Sequence, residues 1–333
     1  MKVISYETLA EIIGDRGLNF KVMECAGGKR QIFECSQSSH TDGKGVVTFS
    51  EEAQILVRDA ADRFGMIPLT LEFFSANENE LGSGTFNHQK EGFEQWFKDI
   101  AMNTDIWVDT NIIVQRSMHN IVFAPNHQFI RGDVGIIVPR YAVLELERLA
   151  NSRKQEWRNA KEKRAREKSK ANPPVEKDRK WITPGRFFLA FQELRSWRLS
   201  RVASLASPLK VADMLQFPVR ASEQIIDALI RQEMKDRRPG RPGIIFLTRD
   251  LVAAISANAD EISSIFVHPV EPEIDKLQSL DCGKLARLLI ELAIDIGSIL
   301  VTWSSGNSLL VEGLWSGKNW ALYGNSVRIS EAE

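Results

Sequence analysis

Three carboxylates in this sequence stand where an open parallel sheet puts working groups, just past the carboxyl ends of strands. Asp109 ends the run DIWVDTN and Asp250 closes GIIFLTRD, while Glu145 lies in VPRYAVLELERLAN, about one and a half turns into a helix that Pro139 starts. Glu223, in RASEQIIDALI, begins the helix leading into the strand of residues 244–247, and Asp227 follows one turn later on the same face. Acids gathered in one cleft repel one another and lose hydration, so such a site keeps its charge only with a cation. Hard oxygen donors favour magnesium or manganese over zinc. A divalent ion held this way lowers the pKa of a bound water and stabilises the charge that builds on a phosphodiester under attack.

The elements that must position these acids are legible in the hydrophobic pattern. From Asp105 onward, short apolar runs alternate with amphipathic stretches, as in a parallel sheet with crossover helices. Strands are expected at 106–108, 134–138, 244–247 and 265–267. The excursion from Ser152 to Arg220 is too long for one crossover and predicts extra helices. Before the sheet, GLNFKVMECA and GKRQIFECSQ read as strands joined at a Gly27-Gly28 hairpin, which would set Cys25 and Cys35 on neighbouring strands as packed small hydrophobes. SEEAQILVRDAADRFG reads as a helix capped by Ser50 and stopped at Gly65; 75–90 reads as a loop near a domain boundary. After a helix with Leu285, Leu288, Leu289, Leu292 and Ala293 on one face, GSILVTW, NSLLVEGLW and NWALYG predict a small antiparallel meander.

A chain of 333 residues allows two or three compact units. The expected division is an N-terminal α+β region over 1–100, a sheet domain over 101–275 with a basic helical insertion near 152–220, and a C-terminal helix and meander over 276–333. With 43% hydrophobic and 26% charged residues the composition is that of an ordinary globular protein, and a net charge of -1 argues against a chain that coats nucleic acid nonspecifically. Cys25, Cys35 and Cys282 are too scattered for a disulfide framework or a zinc site. The five histidines show no ligand spacing either. The opening residues lack the apolar core of a signal peptide, and no apolar run reaches membrane-spanning length, so a cytoplasmic location is expected.

The acidic set resembles the PIN-domain (PIN-like) metal-dependent nucleases. The resemblance covers about half of the chain, in DTNIIV, IIVPRYAVLELERL, the EQII segment and IFLTRD, in the family's order. It implies a three-layer α/β/α domain around a central parallel sheet. It also implies an endoribonuclease that uses Mg2+- or Mn2+-activated water and leaves a 5'-phosphate and a 3'-hydroxyl. By resemblance, Asp109, Glu145 and Asp250 hold the metal or its water, and Thr110, Asn111 and Thr248 support them. The chain departs from the family at the third acid, where aspartate usually precedes paired aliphatic residues and Glu223 stands before Ile225-Ile226. The longer arm of glutamate moves its oxygen, which makes Asp227 the alternative ligand.

RNA is the expected partner, ahead of DNA, with a regulatory protein or a second copy of the chain as further partners. Between Arg153 and Lys180, twelve Lys or Arg face five Asp or Glu. Arg158, Lys161, Arg164 and Lys168 fall along one helical stripe, and with Arg153 and Lys154 they form a candidate phosphate-tracking arm. The alternative is a solvated helix with i,i+4 ion pairs. Trp303, Trp315 and Trp320 could stack on bases but are expected to fill a core. Two other functions compete: a catalytically weak RNA-binding or scaffold protein of the same shape, and a nuclease directed at DNA or flaps. A phosphotransferase is disfavoured, because no glycine-rich phosphate loop is present and Thr-Asn follows Asp109.

Overall fold

A computed structural model describes residues 2–25, 30–39, 41, 43–76, 84–87, 92–121, 135–168, 181, 183, 185–199, 203–205, 223–236, 243–270, 276–314 and 326–332. The protein is α/β and divides into two compact units, each assembled from separated stretches of chain.

The first unit comprises Met1–Met66, Ala150–Leu189 and Glu273–Glu333. Its sheet contains β1 (Lys2–Ser5), β2 (Phe20–Glu24), β3 (Gln31–Gln37), β4 (Gly45–Phe49), β12 (Lys276–Leu280), β13 (Ser298–Trp303), β14 (Ser308–Gly313) and β15 (Ser326–Ala332). These eight strands lie in the order β1-β15-β14-β13-β2-β3-β4-β12, every neighbour antiparallel. Burial alternates along β13, so one face meets the core. Helices α1 (Tyr6–Arg16), α2 (Gln54–Arg63) and α10 (Cys282–Ile296) belong to this unit, and α10 contacts both other helices and the sheet. The predicted leucine face of α10 is fully buried, and so are Glu291 and Asp295. Gly313 is required at the end of β14, since a Cβ there would lie 2.6 Å from the Ala293 carbonyl oxygen.

This unit corrects several expectations. The N- and C-terminal regions build one sheet, because β13 pairs with β2 and β15 with β1. The third C-terminal strand is β15; the expected NWALYG strand lies outside the described residues, as does the Gly27-Gly28 turn. Cys35 stands opposite Phe20, at the far end of the hairpin from Cys25, and all three cysteines are free. The Ser50 hydroxyl donates to the Gln31 carbonyl at 2.6 Å and does not cap a helix; a short 3₁₀ turn, Glu51–Ala53, precedes α2. Trp303 is core, with its Nε1 donating to the Gly17 carbonyl. Trp315 and Trp320 lie outside the described residues.

The second unit comprises Ile67–Leu149 and Ala190–Pro272. Its strands are β5 (Leu69–Phe74), β6 (Gly84–Asn87), β7 (Thr104–Val108), β8 (Gly135–Val138), β9 (Ala203–Leu205), β10 (Gly243–Thr248) and β11 (Ser263–Pro269), in the order β6-β5-β11-β10-β7-β8-β9. From β11 to β9 all neighbours are parallel; β5 and β6 add an antiparallel edge. Thus β6 falls inside the stretch expected to be a loop. All four expected strands are present, and β7, β8 and β10 are buried in continuous runs, as strands covered on both faces must be.

The helices wholly or partly in this unit are α3 (Phe93–Asn103), α4 (Thr110–Val114), α5 (Ser117–Ile121), α6 (Arg140–Lys168, within this unit as far as Leu149), α7 (Gly185–Leu199, within it from Ala190), α8 (Glu223–Asp236) and α9 (Leu251–Ala259). The long excursion therefore holds the end of α6, then α7 and β9. Ile226, Ile230 and Met234 repeat every turn along α8 and join Ala142, Leu144, Ala253 and Ala257 against Trp107, Ile137 and Phe246 of the sheet. Trp107 is in register with both Ile137 and Phe246, so one sheet face carries this core. Burial of each isoleucine, leucine or methionine side chain here contributes roughly 1.5–3 kcal/mol. Among the described residues, no helix is long and apolar enough to cross a membrane.

Candidate active site

The chain order of the parallel strands creates the site. From β7 the sheet grows through β8 to β9, and the chain then returns to lay β10 along the other side of β7. A reversal of strand order of this kind is where open α/β sheets hold a crevice beyond the carboxyl ends of their strands. Asp109 follows β7 and Asp250 follows β10 by two residues, so the reversal delivers both acids to the same crevice.

Asp109 is the N-cap of α4 and is 2% exposed. Its Oδ1 accepts from the Thr110 amide at 2.6 Å and its Oδ2 from the Thr248 hydroxyl at 2.7 Å. Thr248, the last residue of β10, also accepts from the Asp250 amide at 3.0 Å and from Asn111 Nδ2 at 3.4 Å. Asn111 Oδ1 accepts from the Arg249 amide at 2.9 Å. Asn111 and Thr248, two of the three residues expected to support the acids, thus tie the ends of β7 and β10 together. Asp250 caps α9, its Oδ1 accepting from Val252 and Ala253 amides at 2.7 and 3.3 Å. Both aspartates are helix caps, and that role places their carboxylates at the sheet edge.

Glu145 is 6% exposed on the inner side of α6; its Oε2 accepts from the Thr110 hydroxyl at 2.7 Å. Thr110 therefore touches two of the acids, Asp109 through its amide and Glu145 through its hydroxyl. Arg148, one turn along α6, donates to Glu145 Oε1 at 3.5 Å, whereas Glu147 points to solvent, as its spacing predicts. Glu223 opens α8, but its side chain lies outside the described residues. Asp227 is half-buried on the same helix.

The electrostatics join the four acids. Burial, and then the charges of Asp109, Asp250 and Glu145, push Asp227 up to about 8, with Arg231 pulling the other way. Burial lifts Asp109 to about 6; hydrogen bonds from Thr248 and Thr110 oppose the rise and the Asp250 charge adds to it. Asp227 thus senses the other three carboxylates, and Asp109 senses Asp250, through a poorly screened medium. Their oxygens do not form a ready ligand shell: among the described residues, no group of three or more His, Cys, Asp or Glu side chains is placed to hold a metal ion. Both Asp109 oxygens and both Glu145 oxygens already accept hydrogen bonds from the protein.

The sequence-based assignments fare unequally. Asp109, Glu145, Asp227 and Asp250 come together, as do Thr110, Asn111 and Thr248. Arg153, Lys154, Arg158, Lys161, Arg164 and Lys168 all lie in α6, but their side chains are outside the described residues. Sequence reading missed Arg148, although its i,i+3 spacing from Glu145 puts both on one helix face. It also missed Arg231, one turn beyond Asp227 and anchored to Asp260 at 2.7 Å. His268 pairs with Glu72 at 3.0 Å, away from the four acids in its contacts. Comparison with protein-family models and with curated proteins yields no match for this chain.

Proposed function

We propose that this chain is a metal-dependent nuclease of the PIN-like type, hydrolysing phosphodiester bonds with RNA as the favoured substrate. The observation that carries the reading is the placement of Asp109 and Asp250 after adjacent strands where the parallel sheet reverses its order, with Glu145 joined to Asp109 through Thr110 and Asp227 within reach of their charges. Four acids crowded into partly buried positions call for a hard divalent cation, and Asp109, Asp227 and Asp250, with Glu145, are the residues that would hold Mg2+ or Mn2+. A bound divalent ion would supply charge neutralisation and polarisation of the phosphodiester. The three-layer PIN-like arrangement belongs to the same proposal.

The protein groups have distinct tasks in the proposed hydrolysis. A water oxygen forms a bond to phosphorus while the bond from phosphorus to the 3' oxygen breaks, leaving a 5'-phosphate and, after protonation from solvent, a 3'-hydroxyl. The water's proton passes to a site carboxylate and on to solvent. Thr248 and Thr110 hold Asp109 and Glu145 in place through hydrogen bonds, so that the acids need not reorganise as charge shifts. The test is incubation of labelled RNA and DNA oligonucleotides with the purified protein in manganese and in chelator. Manganese-dependent cleavage with 5'-phosphate ends supports the reading, and its absence sinks it.

One observation favours a second reading. No ligand shell is preformed among the described residues, as in a PIN-shaped RNA-binding or scaffold protein with little catalysis. RNA binding without cleavage in manganese is the result that selects it.

A further inference from the structure

Resting on the nuclease reading, we infer that Phe266 and His268 of β11 form a stacking site for an unpaired base of the RNA strand whose phosphodiester meets the acids. The register of the sheet sets this out. Phe266 stands opposite Thr248 of β10 on one side and opposite Glu72 of β5 on the other. Beyond the Leu247–Val108 pair the ladder continues, with the Asp109 amide donating to the Leu247 carbonyl at 3.0 Å and the Thr248 hydroxyl to Asp109 Oδ2. Residues in register share a sheet face, so Asp109, Thr248, Phe266 and Glu72 form one row across β7, β10, β11 and β5. Two strand spacings separate Phe266 from Asp109, roughly 10 Å.

Exposure on this face rises toward the carboxyl end of β11. Ser264 is fully buried and donates to the Ala254 carbonyl of α9, Phe266 is half-buried, and the His268 side chain is 30% exposed. The neighbours on the opposite face, Ile265 and Val267, are closed off. The Phe266 and His268 rings stack with centroids 5.0 Å apart and planes 23° from parallel. His268 Nε2 lies 3.0 Å from Glu72 Oε1 and Nδ1 2.9 Å from the Pro269 carbonyl oxygen, which fixes the ring's plane. Rings held in this way give up little freedom on meeting a base, and aromatic faces accept any base. Helix α9, which contacts β11 and β5, adds exposed Leu251 and Ile255, apolar surface of the kind a base or ribose covers. Glu72 and the nearby acids make this surface unfavourable for phosphate, so the uncharged base is the part of a nucleotide that suits it. A duplex hides its base faces, which restricts the site to single strands.

The test measures binding of a labelled single-stranded oligoadenylate RNA by fluorescence anisotropy in chelator, and its cleavage in manganese, for wild type, Phe266→Leu and His268→Ala, with thermal midpoints for all. Each variant should bind the single strand about 5- to 100-fold more weakly and bind duplex RNA of the same length as wild type does. An abasic position walked along the RNA should cost wild type a similar factor at one place and cost Phe266→Leu little there, a comparison made within each protein and so independent of any lowered midpoint. Equal affinity in wild type and both variants, an equal loss for duplex and single strand, or an abasic penalty unchanged in the variants overturns the stacking site and leaves the nuclease reading standing. Base-dependent binding without manganese-dependent cleavage overturns the nuclease reading alone.

Discussion

In the first unit Glu291 and Asp295 are buried with Arg63 between them and Arg186 within 3.9 Å of Asp295, whereas in the second unit Asp109, Glu145, Asp227 and Asp250 keep their arginines at the margin. Arg63 donates to both acids of α10 from a position with no exposure, and Arg186 also reaches Asp59 at 3.2 Å. There the chain provides its own counter-charges, and the cluster fixes how α2 and α10 pack. At the sheet edge Asp109 and Asp250 accept from hydroxyls and amides, which orient a carboxylate without neutralising it, and Glu145 accepts from Thr110 and, at 3.5 Å, from Arg148. The difference separates a charge cluster neutralised within the core from one whose acids, in the proposed reading, await a cation.

The largest expected effect comes from removing charge at the sheet edge. Asp109→Asn or Asp250→Asn should reduce RNA cleavage by at least about 100-fold with an unchanged circular dichroism spectrum; retained activity in both would show that these acids are not the catalytic ones. Next in size is Arg63→Met, which strands two buried carboxylates and should cost about 3–5 kcal/mol in urea unfolding. Asp109→Asn should instead stabilise the metal-free protein by on the order of 1–3 kcal/mol, since it removes a charge whose folded form is disfavoured. If both substitutions shift stability in the same direction, the contrast between the clusters fails.

Manganese at a hundredfold excess over its dissociation constant should stabilise wild type by about 2.7 kcal/mol and Asp109→Asn far less, as calorimetry would record. The pH dependence follows from the raised acids. Folded Asp109 and Asp227 bind protons more tightly than in the unfolded chain, whose aspartates titrate near 3.8. The metal-free protein should therefore lose stability as pH rises from about 4 to about 8 and level off above, and saturating manganese should flatten the slope. A rise in metal-free stability across that window would contradict the coupling. The smallest effect concerns α6: reversing the charge of Arg158, Lys161 and Arg164 should lower the slope of log affinity against log salt by about 0.7 for each phosphate of single-stranded RNA that the arm no longer neutralises. An unchanged slope would assign the arm to solvent.

Local pattern exposed the parallel strands because strands covered on both faces read as unbroken apolar runs, and it found Asp109 and Asp250 because each follows such a run. It could not reveal that β13 lies against β2, since antiparallel partners far apart in the chain leave no periodic trace. The three residues of β9 and the four of β6 are too short to show alternation. The choice between Glu223 and Asp227 was also closed to sequence, because residues four apart on a helix share a face and only the packing of α8 decides how far each is buried. Ser50 is instructive in the same way: a capping residue type at a helix start gave its hydroxyl to a strand carbonyl once β3 was beside it.

The pairing of β1 with β15 has a consequence for biosynthesis. Residues 2–5 leave the ribosome well before their register partners, 326–329. Until then the opening strand has an open edge that any extended segment can capture. The second unit can condense while translation continues, but the first must wait, which makes it the half whose maturation most depends on chaperoning.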